Sequence, residues 1–267
     1  MIHGKRKYGA DMNEQTLIIT KDIERKEYLG MQKICQVSCS AQVTHIGDWA
    51  FAGCKNLTAI SIADPSCTLG KEVFLKCPKL KGIEVGEKKS WSRLMALFVK
   101  EFQTPELISY VTLRLPWHEE QLDHGITLFL NQPDEEGFAP FLAGGEEDYE
   151  DKDSDPDYYK QKRRRKKAEF IVERLLIEKE APIARKEKEL WCSYIRKHPD
   201  CLEVIFQEEE RAAMRYHALE QEGLISEEQV SVLLEQVPPS FVECKALLLR
   251  RQESNRQEKD CFAAFTI

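Results

Sequence analysis

Hydrophobic positions recur along the first third of the chain with a spacing that belongs to neither a lone helix nor a lone strand. A shift of 23 residues superimposes Ile46 on Leu69, Phe51 on Phe74, Cys54 on Cys77, Leu57 on Leu80, Ile60 on Ile83 and Ile62 on Val85. The same shift towards the N-terminus reaches Ile23, Tyr28, Met31, Ile34, Val37 and Cys39, so a looser copy precedes the two good ones. Self-similarity at a fixed period marks a stacked repeat, whose terminal copies are atypical because they have one neighbour only. Within a copy, Ile60 and Ile62 alternate with Ser61, which predicts a short strand with two residues facing a core and one facing away. Ile46, Ala50, Phe51 and Cys54 have spacings of three and four, which predicts a helical turn on the opposite edge of that core. Asp64 and Pro65 then end the strand, because proline has no N–H to give a ladder.

The stretch Ile46-Gly-Asp-Trp-Ala-Phe-Ala-Gly-Cys-Lys-Asn-Leu-Thr-Ala-Ile-Ser-Ile62 resembles the BspA-like leucine-rich repeat of bacterial surface antigens. That pattern runs isoleucine, alanine-phenylalanine, then cysteine-x-x-leucine-x-x-isoleucine-x-isoleucine. The next copy departs from it at Val73 and Pro78, and the earliest copy at Glu27 and Met31. The resemblance covers residues 23 to 86 and implies a solenoid with a macromolecular partner. Many relatives are secreted adhesins with long arrays, whereas this chain has few repeats and an N-terminus without the apolar run of a signal peptide.

After Val85 the period stops. Trp91 to Phe102 reads as a helix with Leu94, Leu97, Phe98 and Phe102 on one stripe, placed to cap the stack. Between Thr104 and Phe141 the signal is mixed, with a strand-like alternation at Tyr110 to Leu115 and a short apolar run at Ile126 to Leu130. Gly144 to Asp157 is dominated by acidic residues and reads as a linker or exposed loop. Helices are predicted beyond it: Tyr158 to Glu180, Lys188 to His198, Cys201 to Phe206 capped by Asp200, and Arg211 to Glu222 closed by Gly223. Ser226 with Gln229 and Ser240 with Glu243 form two capping boxes on either side of Pro238-Pro239. These helices resemble the tail of some clostridial leucine-rich-repeat proteins and have the texture of a small α-solenoid.

The expected fold class is therefore α+β, a short leucine-rich-repeat solenoid (residues 1–102), an irregular connection with the acidic linker (103–157) and a helical array (158–267). A net charge of −7 disfavours a generic nucleic-acid binder, whose affinity would rest on a basic field. The apolar runs are too short to cross a bilayer. Nine cysteines without an export signal read as reduced thiols in the cytoplasm.

Candidate chemistry is sparse. Cys35, Cys39, Cys54, Cys67 and Cys77 lack the paired knuckles of a structural zinc site, and Cys54 and Cys77 fill a repeat position that buries small side chains. Gly70-Lys71 ends like a phosphate loop, but Pro65 and Glu72 stand where glycine and a hydroxyl residue are needed. His118 with Glu119 and Glu120, or Asp123 with His124, offer acid–base groups without a supporting motif. The expectation is a protein-binding scaffold or adaptor with no catalysis, no metal and no cofactor. Its contact residues would be Gln36, Ser38, Ala59, Ser61 and Glu84 on the outward strand face, together with Trp49, either as an exposed anchor or packed on the preceding copy. The alternative is a nucleic-acid-associated accessory protein using Arg163, Arg164, Arg165, Lys166 and Lys167, a run that could instead pair with nearby acids. A hydrolase with a site built between the halves is a third class.

Overall fold

The computed structural model describes residues 16–101, 119–136 and 155–264. The chain divides into two compact units, residues 1–122 and 123–267. That division falls inside the stretch expected to connect two domains. The expected strand at 110–115, Phe102 of the capping stripe, His118 and most of the acidic stretch lie outside the described residues.

In the first unit, β1 (Thr16–Ile19), β2 (Gln36–Cys39), β4 (Ala59–Ile62) and β6 (Gly82–Val85) form one parallel sheet, in the order β1-β2-β4-β6. A second, two-stranded parallel sheet joins β3 (His45–Ile46) to β5 (Thr68–Leu69). The 23-residue shift is the physical register: Val37 lies beside Ile60, and Ile60 beside Ile83. Ile19, Cys39, Ile62 and Val85 form one buried column across the sheet. β1 escapes a 23-residue comparison because Thr16 pairs with Gln36, an offset of 20. From Ile19 to Ile23 is four residues, where Cys39 to Ile46 and Ile62 to Leu69 each take seven, so the first turn is three residues short.

The expected helical turn is absent. Residues 47–54 form successive tight turns, with Ala50 N–H donating to Gly47 O, Ala52 to Trp49 O and Cys54 to Phe51 O. Spacings of three and four fit such a run as well as they fit a helix, and neighbouring copies decide between them. Lys26, Tyr28 and Gly30 donate their N–H groups to Asp48, Ala50 and Ala52 of the next turn at 2.9, 2.9 and 2.7 Å. Trp49, Phe51 and Gly53 donate to Lys71, Val73 and Leu75 at 2.9, 3.0 and 2.7 Å. A helix would consume these groups internally; the turns leave alternate ones free to bind the neighbouring copy.

Two glycines permit that approach. A β carbon on Gly47 would sit 2.6 Å from Arg25 N, and one on Gly70 would sit 2.5 Å from Asp48 N. The same position in the first copy is Glu24, which has no preceding copy to meet among the described residues. The rings of Tyr28, Phe51 and Phe74 stack in a ladder, with centroids 5.3 and 6.0 Å apart and planes within 7°. Beside it, the Cys54 and Cys77 thiols donate to Tyr28 O and Phe51 O at 3.2 and 3.1 Å. α1 (Ser92–Glu101) closes this core with Leu94, Met95, Leu97 and Phe98 buried, as the capping stripe predicts.

In the second unit, α2 (Glu119–Asn131, whose first residues belong to the first unit) covers the short apolar run at 126–130. It is followed by α3 (Pro156–Leu175), α4 (Arg185–Lys197), a 3-10 helix (Pro199–Gln207), α5 (Glu209–Gln221), α6 (Glu227–Gln236) and α7 (Val242–Ala264). α3 starts at Pro156 because Asp155 caps it, accepting from Asp157 N–H. Residues 201–206, expected as an α-helix under an Asp200 cap, lie in the 3-10 helix, preceded by His198 without a side-chain cap. Gly223 closes α5 at φ +60°, donating to Glu220 O. The Ser226–Gln229 capping box is formed. The second expected box is displaced, since Phe241 and not Ser240 precedes α7.

Gly47→Ala is expected to destabilise the protein by about 2 kcal/mol or more, since backbone must move to admit the methyl group. Glu24→Ala, at the equivalent site, should change stability by no more than about 0.5 kcal/mol. Urea unfolding of both variants checks the contrast.

Candidate functional site

The outward face of the main sheet is built from the strand residues that alternate with the core. Register places Ile18, Ser38, Ser61 and Glu84 in one column and Thr16, Gln36, Ala59 and Gly82 in the column beside it. The structure thus brings five expected contact residues, Gln36, Ser38, Ala59, Ser61 and Glu84, onto one surface. β1 adds Thr16 and Ile18, which the 23-residue comparison misses, and Ile18 is 63% exposed. Thr16 Oγ1 donates to Gln36 Oε1 at 3.4 Å, tying the added strand to the second column. At the far end a β carbon on Gly82 would lie 2.6 Å from Ser92 Oγ, so α1 sits over that corner.

Trp49 is not on this face. It lies in the tight turns at φ 53°, half-buried, with Arg25 4.6 Å and Lys26 5.3 Å from its ring centroid. Its indole N–H donates to Glu72 Oε2 at 2.6 Å. Of the two readings of Trp49, packing on the preceding copy is the one that the geometry follows.

The basic run on α3 is committed to the second unit's own groups. Arg163 donates to Gln132 Oε1 at 2.6 Å and lies over the Phe129 ring. Arg164 pairs with Asp134 at 2.7 Å, Arg165 pairs with Glu203, and Lys166 pairs with Glu169 at 2.9 Å. Lys167, only 1% exposed, reaches Gln132 O at 2.5 Å and Asp134 Oδ1 at 2.7 Å. Pairing with the acidic stretch just before the run is one reading of the sequence; the partners found are Glu169 on the same helix and Gln132, Asp134 and Glu203 on other elements. A nucleic acid would compete with these partners for the cations.

Asp134 organises this cluster. Burial disfavours its ionised form, but hydrogen bonds from Lys167 and Arg164 outweigh that and hold its carboxyl below the usual carboxylate range. The Tyr194 hydroxyl donates to the same carboxylate at 3.2 Å, and burial with that negative charge pushes the phenol's pKa up. Deeper in the unit, Arg174 grips Asp123 through two hydrogen bonds of 2.7 and 3.0 Å and donates to Ala181 O at 2.9 Å. Glu173 accepts from Arg215 at 2.8 and 3.1 Å and also pairs with Arg211. Asp123 is therefore part of a buried ion pair, while His124 is exposed; the two do not form an acid–base pair.

The cysteines of the repeat are packing groups. Burial pushes the thiols of Cys39 to about 12 and of Cys67 and Cys77 to about 11, so they stay protonated at neutral pH. Among the described residues, no group of histidine, cysteine, aspartate and glutamate is arranged to hold a metal ion. No helix among them is long and apolar enough to cross a membrane.

Parallel strands stacked at a 23-residue register, with a cysteine–aromatic ladder along the turns, define a leucine-rich-repeat solenoid. Residues 15–97 match the family described as BspA type Leucine rich repeat region, in six copies, and the described strands and turns of that stretch are a solenoid of that type. Comparison with curated proteins finds no match. Comparison with solved structures finds none either.

Asp134→Asn would leave the buried Lys167 ammonium without its counter-charge, with an expected loss of about 3 kcal/mol at neutral pH. Because the native carboxyl titrates below its unfolded value, its pairing is complete above pH of about 4 and is lost as pH falls through the folded value. The stability difference between wild type and variant should therefore narrow on acidification below pH of about 4, as followed by chemical denaturation across pH.

Proposed function

We propose that the outward face of the parallel sheet binds a partner protein and that the chain acts as a scaffold or adaptor. The observation that carries this reading is the register, which lays Ile18, Ser38, Ser61 and Glu84 beside Thr16, Gln36, Ala59 and Gly82 on one continuous strand surface. Most of these side chains are small, so a partner's backbone can approach closely. Ile18 offers apolar area to bury, and Glu84 gives the only formal charge among the eight. A BspA type repeat region fits a role in protein interaction. The reading assigns no catalytic step and places the protein in the cytoplasm, where the described cysteines, all free, stay reduced.

The test is quantitative capture of partners by the full chain and by a Ser61→Arg, Glu84→Arg variant whose unfolding midpoint is unchanged. The expected result is a stoichiometric protein partner whose affinity falls by about tenfold or more in the variant. Equal capture by both proteins would move the binding site off this face.

A further inference from the structure

The repeats distribute charge unevenly around the solenoid. No aspartate or glutamate occurs in residues 28–47, 49–63 or 73–83, yet these segments contain Lys33, Lys55, Lys76, Lys79 and Lys81. All five lysines are exposed. They fall on the corner where the tight turns lead into the strands, and the contacts between copies stack them there. Thr58 N–H donates to Cys35 O at 2.8 Å and Lys81 N–H to Thr58 O at 2.7 Å. Asn56 donates to Gln32 O at 2.9 Å, and Lys79 Nζ donates to Asn56 Oδ1 at 2.8 Å. Lys33, Asn56 and Lys79 thus form one column, with neighbours about 4.8 Å apart along the stack. Lys55 and Lys76 flank it. Lys33, Lys55, Lys76 and Lys79 make no ion pair among the described residues.

Lys76 supplies a second, independent observation. Its φ is +56°, at a repeat position filled by Gly30 at +70° and Gly53 at +74° in the other copies. A left-handed backbone disfavours any side chain with a β carbon. The lysine is kept where glycine would serve the fold better, which points to a use for its charge.

We propose that this lysine corner is a docking surface for an acidic polypeptide segment of a partner protein. Carboxylates fit it better than nucleic-acid phosphates. No arginine occurs in residues 28–92 to grip a phosphate with a guanidinium fork. Phe51 and Phe74 of the same turns are buried in the ring ladder, out of reach of bases. The overall charge of −7 would repel a long polyanion, whereas a short acidic segment needs only the local field. The corner adjoins the strand starts at Gln36, Ala59 and Gly82 but stands on the lysines alone, independent of the sheet face.

The test is fluorescence anisotropy of the full chain with a labelled peptide alternating glutamate and serine, over a range of salt. Wild type is expected to bind at low salt and to release the peptide as salt rises. Lys33→Glu, Lys55→Glu, Lys79→Glu should weaken binding by about tenfold or more. Lys76→Gly, which relieves backbone strain, should raise the unfolding midpoint while lowering affinity, a split that a structural role would not produce. The Ser61→Arg, Glu84→Arg variant, which adds positive charge nearby, should bind the peptide no more weakly than wild type does, which keeps this result separate from the fate of the sheet-face reading. No binding at low salt, or undiminished binding by the triple variant, overturns the proposal. So does an oligothymidylate of equal charge that binds more tightly than the peptide and is lost in the triple variant, since the corner would then be a phosphate site.

Discussion

The first unit depends on backbone hydrogen bonding between consecutive turns. Along the sheet this is ordinary parallel pairing, but the opposite edge achieves it without strands or helices. There the chain makes one tight turn after another, each leaving alternate N–H groups to donate to the following copy and alternate C=O groups to accept from the preceding one. Everything else at that edge follows from the short separation this imposes. Gly47 and Gly70 are needed because a β carbon would strike the neighbouring backbone, and the aromatic rings stack because the same separation suits their faces. The cysteines fit for the same reason, each thiol being small enough to reach a carbonyl in the preceding turn. Such an assembly is cooperative between neighbours and has no stable single unit.

Much of this was legible in the residues because a stacked repeat writes its spatial register into its sequence period. The period alone sets Val37, Ile60 and Ile83 side by side, and Ser38, Ser61 and Glu84 on the other face. What escaped was whatever broke the period or lacked a signature. β1 falls outside the period because the first turn is three residues short. The tight turns look helical in sequence because spacings of three and four do not distinguish a hydrogen bond made within the segment from one made to the next copy. The candidate face follows from the period except for Ile18 and Thr16, and Trp49, which the sequence leaves open between an exposed anchor and a packing role, has its partners at the turn edge.

The second unit shows a different limit. Its helix boundaries follow from caps and glycines that sequence displays, such as Asp155, Gly223 and the Ser226 box. Its interior does not, because Lys167, Glu173, Arg174 and Arg215 are buried charges on helices that look solvated in sequence. Each is tolerated only because a specific partner from another element meets it: Asp134 for Lys167, Asp123 for Arg174, and Glu173 for Arg215. Charge periodicity along one helix carries no information about partners tens of residues away. A run such as 163–167 therefore advertises a basic surface in sequence and spends it internally in the fold.

The departures from the repeat separate into those the stack explains and one it does not. Glu24 and Met31 replace glycine and cysteine in the first described copy, which meets no preceding turn among the described residues. Lys26, Trp49 and Glu72 share one left-handed position, and the strain there is offset mutually: the Trp49 ring lies under Lys26 and its N–H bonds Glu72. Lys76 has neither excuse. It sits in the last turn of the stack, at a left-handed position that the other two copies assign to glycine, with an exposed ammonium that makes no hydrogen bond or ion pair among the described residues to offset the cost. A residue that the stack would exchange for glycine, retained beside other lysines in segments that contain no aspartate or glutamate, is explained by something outside the stack.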